Sequence, residues 1–248
     1  MDIKKLILER CENTITTREK LKEQIGGNPE LIDSAVDGLL STDGAYMIHR
    51  KMISFVYKPH RLSQISGKAL KTAEYLSSVL SESAPEITDF SAYEKYSGIH
   101  PGIKPVFITV SGNPEEAEKY LRKDCADVIC GNDAENGKYE PITDAPVVIL
   151  SGNTGGRPFR DRYSFGSAEK MLYLMLAFPS IFGLTTKTDK KELIRAFVSE
   201  YRINYSIFLG LFGYRHGVKM RKTLLATPEY AFLIKRMREL LDDPSIMY

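Results

Sequence analysis

The chain has 248 residues, of which 43% are hydrophobic and 27% charged, and its formal net charge is +2. These values are ordinary for a globular protein of one large or two small domains. A net charge this small excludes a global field for nucleic acid or membrane, so any basic surface must be local.

Cysteine usage and hydropathy predict a cytoplasmic protein. Cys11, Cys125 and Cys130 show no metal-ligand spacing and are typical of buried thiols in a reducing compartment. The first ten residues are too charged for a signal peptide. The longest apolar stretch, Met171 to Leu184, is interrupted by Pro179 and is too short to span a bilayer. We therefore expect no membrane partner.

Three helices are predicted at the start of the chain. Apolar residues recur at helical spacing between Ile3 and Cys11. Thr16 and Thr17 can cap a second helix, which stops at the glycine pair that follows Ile25. Asn28 then caps a third helix with proline at its first position.

Two short β-prone runs follow the third helix and are separated by His49, Arg50 and Lys51. The runs are Ala45–Ile48 and Ile53–Tyr57. A two-stranded ribbon after three short helices is typical of the winged helix-turn-helix. The sequence therefore predicts this DNA-binding architecture for residues 1–60.

Beyond a linker at residues 58–66, helices and strands are predicted in mixed order. The helices are 67–81, 114–122, 167–178, 190–200, 205–214 and 228–241, and the strands are 106–110, 126–130 and 147–150. Residues 83–102 are turn-rich, with one helical turn. We expect an α+β fold, in which the winged helix is followed by a mixed α/β domain over residues 67–248 that is largely helical after Ser167.

The solvent face of the third helix carries acidic residues that oppose DNA binding. This helix would enter the major groove, yet Glu30, Asp33 and Asp37 would repel phosphate there. Basic residues on the second helix and at the ribbon tip compensate in part. The residues we predict to contact DNA are Arg18, Lys20, Lys22, Asn28, Ser34, His49, Arg50 and Lys51. A winged helix used for protein contacts is the alternative.

The C-terminal helices carry a local excess of positive charge. From Lys187 to Arg238, twelve basic residues stand against four acidic ones, which leaves a difference of eight. A solvated helical face explains this charge as well as a docking surface for an acidic protein or a nucleic-acid backbone does. The candidate partner-binding residues are Arg202, Arg215, His216, Lys219, Arg221 and Lys222.

An enzyme acting on a phosphorylated or nucleic-acid substrate is a further hypothesis. The turn Ser151–Gly156 follows a strand and could aim N–H groups at an anion, with Arg157, Arg160 and Arg162 beside it. The turn lacks the Gly-Lys-Ser/Thr ending of a phosphate loop, so an exposed turn is favoured. No nucleophile with its base is recognisable, and the four histidines lack metal-ligand spacing. The sequence predicts a non-enzyme with no catalytic residue, metal or cofactor.

Three stretches are similar to parts of a known family. They are residues 31–59 (LIDSAVDGLLSTDGAYMIHRKMISFVYKP), 90–110 (FSAYEKYSGIHPGIKPVFITV) and 163–176 (YSFGSAEKMLYLML). In this order they resemble the winged unit, the small helix before the first strand, and the strand-to-helix step of the AbiEi-like antitoxins of type IV toxin–antitoxin systems.

This resemblance implies a transcriptional regulator in antiviral defence rather than an enzyme. The winged domain would bind double-stranded DNA and repress its own promoter. The C-terminal part, with the stretch Arg215–Lys222, would counteract a nucleotidyltransferase-like toxin. A defence-system protein-interaction module that uses the basic C-terminal helices is the alternative.

Overall fold

A computed structural model of the protein divides into two compact units. Unit 1 comprises Met1–His60 and Val198–Tyr248, and unit 2 comprises Arg61–Phe197. The protein belongs to the α+β class, as the sequence predicts, and the described residues form two sheets. The described residues are 2–42, 44–58, 65–80, 85–93, 103–125, 127–130, 133, 142–152, 157–159, 163–182, 186–212, 220–226, 228, 230–232 and 234–235.

Three helices and a three-stranded sheet form the N-terminal segment of unit 1. The elements are α1 (Ile3–Cys11), β1 (Ile15–Thr17), α2 (Arg18–Ile25), α3 (Pro29–Ser41), β2 (Tyr46–His49) and β3 (Met52–Ser54). The predicted caps are present, since Thr17 Oγ1 accepts from the Lys20 N–H and Asn28 Oδ1 from the Glu30 N–H. Helix α2 ends at Gly26, whose φ of 70° favours glycine.

The helices pack on the sheet through a continuous apolar core. Strand β3 lies between β1 and β2 and is antiparallel to both. Ile7, Leu21, Val36 and Ile53 are buried together in this core. Strand β1 was not predicted, because its two threonines were interpreted only as a helix cap. All three of its residues are buried, so tertiary pairing with β3 decides its conformation.

Unit 2 is built on a six-stranded mixed sheet. Its elements are α4 (Gly67–Val79), β4 (Glu86–Asp89), a 3-10 turn (Phe90–Ala92), β5 (Val106–Val110), α5 (Pro114–Leu121), β6 (Val128–Cys130), β7 (Val147–Ser151), β8 (Arg157–Phe159), β9 (Tyr163–Phe165) and α6 (Ala168–Ala177). The strand order is β6-β7-β5-β4-β9-β8. Strands β5 and β6 each run parallel to β7, and β4 is antiparallel to β5. Strand β4 lies in the region that was predicted as turn-rich.

Both faces of this sheet are covered by helices. Ile87, Ile108 and Ile149 point to one face, where they pack with buried residues of α4 and α5. On the opposite face, the ring of Phe107 packs against that of Phe178 at the C-terminal cap of α6, with a centroid separation of 5.7 Å. Strands β5 and β7 are accordingly almost continuously apolar, as expected for strands buried on both faces.

The C-terminal residues of the chain join the N-terminal segment rather than unit 2. Helix α7 (Lys187–Glu200) contains the division after Phe197, and α8 (Tyr205–Gly210) is shorter than the predicted helix 205–214. Lys58 Nζ donates to the Val198 carbonyl, and Arg202 Nε donates to the Lys58 carbonyl at 2.8 Å. This arrangement differs from the predicted single domain over residues 67–248, because these long-range bonds leave no trace in helical periodicity.

Asp127 organises the approach to strand β7 in unit 2. Its carboxylate is buried, and Oδ2 accepts from the Thr143 N–H and hydroxyl at 2.7 Å each and from the Ile142 N–H at 3.1 Å. The Asp127 carbonyl accepts from the Val147 N–H at 2.9 Å. One residue therefore ties the start of β6 to the segment that leads into β7.

We expect Asp127→Ala to lower the free energy of unfolding by about 2–4 kcal/mol, because three donors lose a charged acceptor. Urea unfolding followed by far-UV circular dichroism measures this change. Asp124→Ala is the matched control, since Asp124 is exposed three residues earlier, and its effect should stay within about 0.5 kcal/mol. Equal effects of the two variants would contradict the role of Asp127.

Candidate nucleic-acid interface

Ion pairs join helices α2 and α3 of unit 1. Arg18 pairs with Asp37 through Nη2 and with Asp33 through Nη1, where the distance to Asp33 Oδ1 is 3.6 Å. Lys22 Nζ lies 2.7 Å from the other carboxylate oxygen of Asp33. Two of the predicted DNA contacts, Arg18 and Lys22, are thus engaged by the acidic residues of the helix they were expected to assist.

These pairs favour the charged form of the Asp33 carboxylate. The hydrogen bond from Lys22, together with the charges of Lys22 and Arg18, lowers the pKa of Asp33 below its usual value. On the same helix α2, Lys20 Nζ lies 2.8 Å from Glu23 Oε2. Each cation that α2 was predicted to offer to DNA therefore has an acidic partner within unit 1.

The two polar residues predicted near the groove have different roles. Asn28 caps α3, because its Oδ1 accepts from the Glu30 N–H at 2.9 Å. Ser34 is exposed on α3. Of these two residues, Ser34 is therefore the one whose side chain the local structure leaves for an external contact.

The tip of the β2–β3 hairpin presents exposed positive charge. The side chains of Arg50 and Lys51 are exposed, and neither has an ion-pair partner in the part of the chain that the structure describes. The Arg50 N–H donates to Ser206 Oγ at 3.1 Å, at the start of α8. The C-terminal segment thus fixes the backbone of the tip while its side chains remain exposed.

The side chain of His49 is half-buried, unlike the exposed side chains of Arg50 and Lys51. Burial lowers the pKa of His49, and the charges of Arg50 and Arg221 lower it further. The imidazole is therefore neutral at pH 7 and contributes no cation for phosphate.

Arg221 adds a third cation beside the hairpin tip. Its charge acts on the same imidazole as that of Arg50, and its side chain hydrogen-bonds to the buried Tyr230. We call Arg50, Lys51 and Arg221 the basic tip. The sequence placed these residues in two separate sites, one for DNA and one for a protein partner, and the structure brings them into one unit.

The remaining predicted partner-binding residues are distributed differently. Arg202 bonds to the Lys58 carbonyl, and its guanidinium carbon lies 5.3 Å from the centroid of the Tyr46 ring. It therefore stabilises unit 1 internally. Lys222 is exposed. Arg215, His216 and Lys219 lie outside the described residues.

The predicted anion-binding turn begins with an N–H group that is already used. The Gly152 N–H donates to the Val110 carbonyl at 3.0 Å, which extends the pairing of β5 and β7. Residues 153–156, Arg160, Arg162 and the side chain of Arg157 lie outside the described part of the structure. Among the residues described, no three His, Cys, Asp or Glu side chains are grouped for a metal ion, and no helix is long and apolar enough to cross a bilayer.

Sequence reasoning did not identify a group of buried polar residues in unit 2. Glu86, Thr88 and Thr109 lie on strands, and Glu169 and Lys170 begin α6. The polar residues Glu86 and Thr88 alternate with the apolar Ile87, a two-residue period that is typical of a strand. This signal was available in the sequence, but residues 83–102 were interpreted as turn-rich.

Comparison of the chain with protein-family models, with curated proteins and with solved structures finds no match. The resemblance to AbiEi-like antitoxins therefore remains a hypothesis that depends on the three quoted stretches alone.

The half-buried His49 gives a pH-dependent prediction. Its folded pKa lies below the ordinary value of 6.5, so the unfolded chain binds the proton more tightly. Stability from the neutral imidazole is present above that value and is lost as the pH falls through it toward the folded pKa. We expect the urea midpoint of the wild type to fall more than that of His49→Gln when the pH is lowered from about 7.5 to about 5.5. Parallel losses in the two proteins would show that His49 is not the source.

Proposed function

We propose that unit 1 is a winged-helix module that binds double-stranded DNA through phosphate contacts of the basic tip. The order of its elements supports this, since three short helices are followed by an antiparallel hairpin. The observation that carries the proposal is the exposure of Arg50 and Lys51 without an acidic partner in the described chain, with Arg221 in the same electrostatic environment.

The charge distribution favours the hairpin tip over the exposed face of α3. Glu30, Asp33 and Asp37 leave that face acidic, and Arg18 and Lys22 are already paired with two of these residues. A phosphate at this face would be repelled by the carboxylates, unless Arg18 or Lys22 exchanged its carboxylate partner for the phosphate. The basic tip requires neither, so phosphate contacts there cost less.

Binding of this kind depends on phosphate more than on base sequence. Arginine and lysine neutralise phosphates and release counterions, which makes the affinity strongly dependent on salt. On α3, the exposed Ser34 is a polar side chain that can reach a base edge, and a single hydroxyl discriminates weakly between bases. We therefore expect modest sequence preference from the unit alone.

The resemblance to AbiEi-like antitoxins extends the proposal to a biological role. In that role the chain represses its own promoter and antagonises a nucleotidyltransferase-like toxin. The genomic neighbourhood tests this directly, because an adjacent gene for such a toxin supports the role and its absence argues for a regulator of another kind.

We expect the double variant Arg50→Ala, Lys51→Ala to bind duplex DNA about 10²-fold more weakly at about 50 mM salt than the wild type. The slope of log affinity against log salt should also decrease by about two, because two phosphate contacts are lost. Fluorescence anisotropy with a labelled duplex at several salt concentrations measures both quantities.

Lys71→Ala is the matched control, since Lys71 is an exposed lysine on α4 of unit 2 and its removal should leave both values unchanged. Arg221→Ala should reduce the slope by about one. Undiminished binding by the double variant, or no duplex binding by the wild type at low salt, contradicts the proposed function.

A further inference from the structure

One face of the sheet in unit 2 carries a polar group within an otherwise apolar core. Glu86 and Thr88 lie two residues apart on β4, so their side chains point to the same face. Glu86 is directly opposite Thr109 of β5 in the strand register. Lys170, in the first turn of α6, places its Nζ 3.6 Å from Glu86 Oε1. We call Glu86, Thr88, Thr109 and Lys170 the polar patch.

Three oxygen atoms of the polar patch are buried without a hydrogen-bond partner in the described structure. They are Glu86 Oε1, Thr88 Oγ1 and Thr109 Oγ1. Glu86 is 4% exposed, and the two threonines are 1% exposed each. A buried polar atom without a partner is costly, so three such atoms on neighbouring positions of one sheet face require an explanation.

The patch lies near one edge of the sheet, beside residues that are exposed. Thr109 is the fourth residue of β5, and the last residue of β7, Ser151, is exposed together with Gly152. A Cβ atom at Gly152 would lie 3.6 Å from the methyl group of Thr109. The side chain of Lys170 is 17% exposed. The patch therefore borders the carboxyl edge of the parallel strands β5 and β7, where open sheets commonly bind ligands.

We propose that the polar patch binds a small neutral ligand through adjacent hydroxyl groups, such as the diol of a sugar or a ribose. A hydroxyl group both donates and accepts, so one hydroxyl can donate to Glu86 Oε1 and accept from Lys170 Nζ. A second hydroxyl can pair with the hydroxyl group of Thr109. Such a ligand satisfies Glu86 Oε1 and Thr109 Oγ1 without adding charge to the interior. Thr88 Oγ1 instead lies close to Gly166, where an added Cβ atom would be 2.1 Å from it.

Charged ligands fit the same group less well. A phosphate or carboxylate near Lys170 would also lie near Glu86, and an ammonium group near Glu86 would lie near Lys170, because the two charges are 3.6 Å apart. A divalent cation would face the same ammonium. The described residues also lack a group of three His, Cys, Asp or Glu side chains for a metal.

The test uses the full chain and ligand-observed saturation-transfer NMR, with affinities from calorimetry. The probes are adenosine, uridine and methyl glucoside, with 2′,3′-dideoxyadenosine as the probe that lacks the diol. We expect binding of at least one diol-bearing probe and none of the dideoxy compound. Glu86→Gln and Thr109→Val should each weaken that binding by about tenfold or more.

Glu116→Gln is the control, because it makes the same chemical change at an exposed position of α5 and should leave binding unchanged. Thr109→Val also separates ligand binding from folding. Its hydroxyl has no partner in the fold, so the unliganded variant should melt at the wild-type temperature or above, while Thr109→Ser should retain binding.

Three results would overturn the proposal. In the first, the wild type binds none of the hydroxyl compounds. In the second, it binds the dideoxy compound equally well. In the third, Glu86→Gln and Thr109→Val bind as the wild type does.

Discussion

The ion pairs between α2 and α3 determine where unit 1 can present free positive charge. Arg18 and Lys22 are held by Asp37 and Asp33, and the pairs are partly exposed. Ion pairs of this kind add little to the stability of the fold. They do, however, neutralise Arg18 and Lys22, which are therefore not free to bind phosphate beside the acidic face of α3. The exposed basic residues of the unit without an ion-pair partner in the described chain include Arg50 and Lys51 at the hairpin tip. Under the proposed function, phosphate is therefore expected at the hairpin and not at α3.

The second constraint is the return of the C-terminal segment to unit 1. Arg202 bonds to Lys58, and Ser206 accepts from the backbone of Arg50, so the two ends of the chain stabilise each other. Burial lowers the pKa of His49, so that its imidazole is neutral at pH 7, while Arg221 adds a positive charge nearby. The hairpin tip is consequently part of a surface built from both segments.

Local chemistry made part of this structure predictable. The caps at Thr17 and Asn28 and the stop at Gly26 depend on neighbours within three residues, and the sequence predicted them. The sequence also placed basic residues at the hairpin tip, alongside those of the second helix, among the predicted DNA contacts. Contacts between residues far apart in the chain could not be predicted from hydrophobic periodicity, which reports only on neighbours. Arg18 and Asp37 are 19 residues apart, and Arg50 and Ser206 are 156 residues apart. Strand β4 differs, because its polar–apolar alternation is local and visible in the sequence, while the burial of its polar residues depends on contacts with β5 and α6.

The central claim is that DNA meets the basic tip of unit 1 and not the exposed face of α3. Backbone amide NMR of the ¹⁵N-labelled chain during titration with a short duplex tests it most directly, because each amide reports its own surroundings. If DNA meets the basic tip, shift changes are largest at residues 49–51 and 221, with small changes at Glu30 and Ser34. Changes concentrated on α3, with the hairpin tip unaffected, would contradict it.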